Sequence, residues 1–147
     1  MNLQIKRLEE MSAQELYRIM KLRSEVFVVE QNCVYLDPDG LDEQCNHIFL
    51  EENGEILAYC RVLNRGITFP EVSIGRVVVG KNSRGKSYSK KILKAAMDFV
   101  EKELGETEIQ IAAQSYLVSF YNGLGFKTIS EEYEEDGIPH INMIYIK

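Results

Sequence analysis

A chain of 147 residues, 45% apolar and 27% charged, is long enough for one domain with its own core and needs no disulfide or metal staple. Its formal net charge of −6 argues against nucleic acid as the main partner and favours a small cationic acceptor. No apolar run approaches a membrane span, and Met1-Asn2-Leu3-Gln4-Ile5-Lys6 lacks the apolar stretch of a signal peptide, so a cytoplasmic location is expected. Cys33, Cys45 and Cys60 are odd in number and contain no C-x-x-C pair, which excludes a complete disulfide framework. Cys45 with His47 lacks further ligands, and Asp37-Pro38-Asp39-Gly40-Leu41-Asp42 has its glycine out of register for a calcium loop. No metal is expected.

In chain order, Leu3, Ile5 and Leu8 with polar residues between them predict a short first strand. Ser12-Ala13-Gln14-Glu15 is a capping box that starts a helix at about Ala13, with Leu16, Ile19, Met20, Arg23 and Phe27 on its buried face. Arg23 there either snorkels to the edge or anchors something polar. Glu30 closes the run Val26-Phe27-Val28-Val29. It is either a helix-end carboxylate in water or an acid beside a pocket, able to hold or deprotonate an amine. The irregular stretch from Asn32 to Asn46 has the length of a functional loop; its Asp37, Asp39, Asp42 and Glu43 attract a cation or keep the loop soluble.

Strands over His47–Glu52 and Ile56–Leu63 meet at Asn53-Gly54, a strong hairpin signal. A loop from Asn64 to Glu71 leads into a β-branched central strand, Ile74 to Val79. A strand from Glu108 to Ala113 and a short helix over Tyr116 to Asn122 follow a long helix. A final pair, about Lys127–Glu134 and Ile138–Ile146, turns at Asp136-Gly137. Antiparallel strands, one βαβ unit and a closing hairpin make a mixed sheet with helices on both faces, an α/β (α+β) domain spanning residues 1–147.

The stretch from Ile74 to Leu104 carries most of the functional signal. Tyr88, Ile92, Leu93, Ala96, Met97, Val100 and Leu104 recur at three- and four-residue steps, predicting a helix that opens near Ser87 and stops at Gly105. No acidic residue occurs from Gly75 to Met97, whereas Arg76, Lys81, Arg84, Lys86, Lys90, Lys91 and Lys94 all do. A strand–loop–helix junction with unpaired backbone N–H groups and small side chains suits a phosphate. Gly80-Lys81-Asn82-Ser83-Arg84-Gly85-Lys86-Ser87 also spells the nucleotide-triphosphate P-loop. That motif needs a parallel sheet and a second strand ending in Asp, and the strand before Gln114 ends without an acid.

Four segments together resemble the GNAT superfamily of acetyl-CoA-dependent N-acyltransferases, and within it the ElaA-like branch. They are Leu22 to Gln31, Ile74 to Leu93, Phe120-Tyr121-Asn122-Gly123-Leu124-Gly125-Phe126, and Tyr133 to His140. The family's pyrophosphate loop, Q/R-x-x-G-x-G/A, corresponds to Arg84-Gly85-Lys86-Ser87-Tyr88-Ser89, with Ser87 and Ser89 where Gly or Ala is usual. The resemblance implies a GNAT fold with a mostly antiparallel sheet of about six or seven strands. It implies acetyl-CoA as co-substrate, an amine acceptor, and no metal. Backbone groups of Val77, Val78 and Val79 would hold the pantetheine arm, supported by Gln114 in place of the common Asn. Tyr121 would protonate the departing thiolate, a nearly balanced transfer at ordinary pKa values of about 10 and about 8.5. His140 is the first choice of general base, with Glu30, His47 and Glu71 as other candidates. Two other readings stand beside this one: a CoA-binding regulatory module without turnover, motivated by the two serines, and the P-loop. A homodimer is the oligomer considered.

Overall fold

The computed structural model describes residues 1–147. Strand β1 (Asn2–Arg7) leads into helix α1 (Ala13–Arg23), whose start is fixed by reciprocal Ser12–Glu15 capping. The helix continues as a wider π-helical turn over Ser24–Glu30, where Gln31 N–H reaches Val26 O and Cys33 N–H reaches Val28 O. Strands β2 (Cys45–Glu52) and β3 (Glu55–Leu63) form the expected hairpin, with Asn53 and Gly54 both at positive φ as a type I′ turn requires. Then come β4 (Val72–Val79), helix α2 (Tyr88–Lys102), β5 (Glu108–Gln114), helix α3 (Val118–Gly123), β6 (Lys127–Thr128), β7 (Tyr133–Glu135) and β8 (Ile138–Ile146).

These strands form one open sheet in the order β1-β2-β3-β4-β5-β8-β6, with β7 also on β8. It has eight strands, one or two more than expected, because the segment anticipated as Lys127–Glu134 divides into β6 and β7. Every pairing is antiparallel except β4–β5. Helix α2 and Tyr121 of α3 cover one face through a cluster that includes Ile48, Val62, Ile74, Ile92, Leu93 and Ile111. Helix α1 covers the β2–β3–β4 half of the other face through Ile19, Leu22, Phe49, Tyr59 and Val78. The buried helix face thus uses Leu22 and Val26 beside Ile19, Arg23 and Phe27, while Leu16 and Met20 are only half-buried. No helix is long and apolar enough to cross a membrane.

Two features of β4 open the sheet at its centre. Its parallel pairing with β5 covers only Val72–Ile109 and Ser73–Gln110, after which the strands part. Against β3, Tyr59 faces Val78 and Arg61 faces Gly75, so Arg76 and Val77 oppose Cys60 alone. This is a β-bulge, and Arg76 adopts a left-handed φ of 50° within it. The extra residue also switches side-chain phase: Val72 and Ile74 point to the α2 face, whereas Val78 points to the α1 face.

Candidate functional site

The divergence leaves the β5-facing backbone N–H and C=O groups of Ile74 to Val79 without strand partners in the middle of a sheet. They face a cleft of about 890 Å³ that runs between the two strands. Its lining includes Val77, Val78, Val79, Arg84, Gly85, Ser87, Tyr88, Ser89, Gln114, Tyr116, Tyr121 and His140, so nearly all the sequence-predicted cofactor residues share one cavity. Lys86 is exposed on the same loop and is not part of the wall.

At one end of the cleft, helix α2 starts against the usual rules. Ser87, its N-cap, has φ 61° and makes no side-chain capping bond, and Gly85 has φ 78°. Asp or Glu is absent from the first turn, and Lys86, Lys90 and Lys91 surround it. Cations at a helix N-terminus oppose the macrodipole by about 0.3–1 kcal/mol each. An uncapped, strained, cation-ringed start is locally unfavourable until an anion sits on it. The contrast with the capped start of α1 marks this turn as a binding feature.

Arg84 does not face that anion position freely. Its Nη1 and Nη2 donate to both carboxylate oxygens of Glu30 at 2.6 and 2.8 Å, and Nε lies 3.4 Å from Val79 O. The Arg84 hydrogen bond and charge hold the Glu30 carboxyl below its usual range. A carboxylate already committed to a guanidinium is a poor proton acceptor, so Glu30 latches the π-turn onto the loop, a different role from the proposed acid or base. Glu30→Gln is therefore expected to keep turnover within about threefold of wild type, whereas losing a general base lowers rates about 10²–10⁴-fold. Steady-state kinetics separate the two.

Tyr121 is 6% exposed, packed edge-on against Phe120 and Phe126, and lines the cleft with no hydrogen bond to its hydroxyl from the protein. Burial pushes its pKa well above the ordinary phenol value, so it is protonated throughout the working range. The near-balance expected from ordinary pKa values therefore does not hold in the free pocket, where the phenol is the weaker acid by far. His140 on β8 lies opposite Gln114 of β5. Its Nδ1–H donates to Ile138 O at 2.7 Å, which leaves the Nε2 lone pair free, 3.8 Å from Glu135 Oε2. The other base candidates are placed elsewhere. His47 is buried, accepts from Tyr59 O–H at Nδ1 (2.6 Å), donates from Nε2 to Asp42 O (2.8 Å), and is held neutral by burial. Glu71 lies outside the cleft wall.

Sequence reasoning missed the largest polar structure in the domain. Arg23 is 0% exposed and donates to Asp37 (Nε, 2.7 Å) and Asp42 (Nη1, 2.7 Å). Arg61, 3% exposed, donates to Asp42 at 2.9 Å and to both oxygens of Asp39. Arg76 Nε lies 3.0 Å from Asp37 Oδ1 as an ion-pair contact, and its Nη2 donates to Asp37 O (3.1 Å) and Asp39 (3.4 Å). Tyr35 O–H adds a bond to Asp37 at 2.8 Å. The aspartates of the Asn32–Asn46 loop thus neither attract substrate nor merely solubilise; they are neutralised by arginines of α1, β3 and β4. The signal available was the odd Arg23 on an apolar helix face and Arg61 inside an apolar strand. Cys33 Sγ–H further ties this loop to the β7–β8 turn through Asp136 O (3.3 Å).

The network sets a pH dependence. Burial raises the Asp39 pKa, but Arg61, the Leu41 N–H and Arg76 outweigh it and hold it at about 2; Asp42 is likewise lowered, its desolvation overcome by Arg23 and Arg61. Folded pKa values below the unfolded one of about 3.9 give stability that is present above about pH 4 and lost as pH falls towards 2. The depressed His47 works in the same direction, its contribution fading below about pH 6.5. Thermal melts are expected to fall gently below pH 6.5 and steeply below pH 4; a flat profile from pH 7 to 3 contradicts this network.

The acetyltransferase (GNAT) domain family matches residues 8–147. Protein ElaA of Escherichia coli is 39% identical over 136 residues, covering 91% of this chain and 89% of its own. Its crystal structure matches with a TM-score of 0.91 at 36% identity, covering 99% of both chains. The UPF0039 protein sll0451 of Synechocystis is 39% identical over 140 residues, 95% of this chain and 91% of its own length. The crystal structure of an acyl-CoA N-acyltransferase from Pseudomonas aeruginosa matches with a TM-score of 0.92 at 35% identity over 99% of each chain. The P-loop spelling falls with these findings. Strand β4 is antiparallel to β3, its parallel contact with β5 ends after two pairs, and Lys81–Ser83 makes a single 3₁₀ turn.

Proposed function

The chain belongs to the GNAT acetyltransferase domain family and is an acyltransferase, and on that premise we propose that it transfers an acetyl group from acetyl-CoA to an amine by direct attack on the thioester. The acceptor is a small or peptidic amine. The observation that carries the reading is the parted β4–β5 pair: unpaired strand-edge groups line a cleft whose wall also holds an anion-seeking helix start and His140.

The residues present suit acyl-CoA. The α2 N-terminus with Gly85, Ser87 and Ser89 takes the pyrophosphate, and serine side chains are small enough for close approach. Backbone groups of Val77 to Val79 take the pantetheine amides as an added strand would, and Gln114 supports them from β5. An N–H near Val78 donates to the thioester oxygen and gains strength as that oxygen becomes negative.

An ammonium acceptor, with pKa about 10.4, first loses a proton to the free Nε2 of His140; Glu135 stands near to balance the imidazolium. The nitrogen lone pair then attacks the carbonyl carbon, and the carbonyl electron pair moves onto oxygen. As that pair returns, the C–S bond breaks and sulfur leaves as thiolate. Tyr121 donates a hydrogen bond to it; because the buried phenol is the weaker acid, its proton crosses to sulfur only in concert with its replacement. The nitrogen's remaining excess proton restores the phenol. No covalent enzyme intermediate is needed: Cys45 and Cys60 lie outside the cleft wall, where burial pushes the Cys45 thiol to about 11 and Cys60 higher still, and Cys33 gives its S–H to Asp136 O at 3.3 Å.

Thiol release from acetyl-CoA across an amine panel tests this. Amine-dependent CoA release, with acetylated product seen by mass spectrometry, is the expected result. Tight acetyl-CoA binding without release for any amine favours the regulatory module instead, and neither binding nor release sinks both.

A further inference from the structure

The left-handed residue of a bulge is usually glycine, yet here it is Arg76, with Gly75 beside it in ordinary β geometry. What offsets its strain comes from one place. The guanidinium contacts Asp37 and Asp39 and stacks over Tyr35 at 5.6 Å, all on the Asn32–Asn46 loop, and makes no hydrogen bond to the sheet. That loop is in turn held by Arg23 of α1 and Arg61 of β3. The bulge lies on the stretch of β4 that has parted from β5, and Val77 to Val79, within and after it, line the cleft.

We propose that Arg76 is a positioning residue through which the docked Asn32–Asn46 loop holds the β4 bulge in shape for the acyl thioester. Leu36 and Leu41 of the same loop line the cleft. An acceptor lying against that wall is therefore mechanically linked to the strand that orients the acyl group. If the loop lifts, Arg76 loses its contacts, its left-handed backbone becomes unfavourable, and β4 relaxes. The proposal rests on acyl-CoA binding beside β4, which wild-type protein tests separately in the same experiment.

The test compares Arg76→Ala with Arg76→Gly, using acetyl-CoA calorimetry and hydrogen exchange over residues 32–46. Both variants lose the loop contacts, so loop exchange rises in both. Alanine keeps the left-handed strain with nothing to offset it, and acetyl-CoA binding weakens about tenfold; glycine relieves the strain and stays within about threefold of wild type. This order is the reverse of what strand propensity gives, since glycine is ordinarily the weaker strand residue. Equal losses in the two variants, an alanine variant that binds like wild type, or unchanged loop exchange in both would overturn the proposal. Should Arg76→Ala not fold, the glycine variant decides alone: faster loop exchange with near-wild-type affinity supports it, and protected loop or lost affinity overturns it. If wild-type protein fails to bind acetyl-CoA, the functional reading falls, while loop exchange still reports on the Arg76 contacts.

Discussion

Arg23→Met is expected to destabilise the domain by about 3 kcal/mol, the lower part of the range for breaking a buried ion pair. Arg23 is wholly buried, and its loss leaves Asp37 and Asp42 with one fewer cation in a place where water does not reach. The loss is not larger because Asp37 keeps Arg76 and Asp42 keeps Arg61. For a domain of this size that corresponds to a fall of roughly 10 °C in Tm. A second change restores charge balance: Arg23→Met with Asp37→Leu leaves Arg61 and Arg76 against Asp39 and Asp42, and is expected to recover part of the loss. A single variant as stable as wild type would mean that the network does not hold the loop.

Tyr121→Phe is expected to lower kcat about 10²-fold while the Kd for acetyl-CoA stays within roughly twofold. The ring packs among Phe120 and Phe126 and the core, and phenylalanine keeps that packing. The hydroxyl, which has no protein partner, is the only part removed. Stability is therefore expected to be nearly unchanged. Solvent isotope effects should shrink in the variant if the missing proton donor acts in the slow step. Full activity would move the acid role elsewhere in the cleft.

Much of the architecture could be read from local chemistry. The Ser12–Glu15 capping box, the Asn53-Gly54 and Asp136-Gly137 turns and the helix opening at Ser87 all rest on interactions within a few residues, and each occurs where expected. The break between β6 and β7 was not visible, because Lys127–Glu134 has the composition of one strand and only its fit to β8 divides it. The bulge was hidden for a sharper reason. Its left-handed position carries arginine, and what makes arginine acceptable there lies 37 to 39 residues earlier in the chain.

The site shows the same pattern. Residues assigned through the resemblance, Val77 to Val79 and Arg84 to Ser89 with Gln114, Tyr121 and His140, converge on one cleft apart from the exposed Lys86. The roles of Glu30 and of the aspartates depended on partners far along the chain. Glu30 meets Arg84 across 54 residues, and the three aspartates meet three arginines from three separate elements. A carboxylate's function is set by its nearest cation, and sequence spacing does not reveal that pairing.

The central claim is that the parted β4–β5 cleft binds acyl-CoA, and calorimetric titration tests it without knowledge of the acceptor. Acetyl-CoA and CoA are predicted to bind the same single site, each excluding the other, with Mg-ATP producing no heat. Binding of Mg-ATP with none of acetyl-CoA would contradict the account at its base.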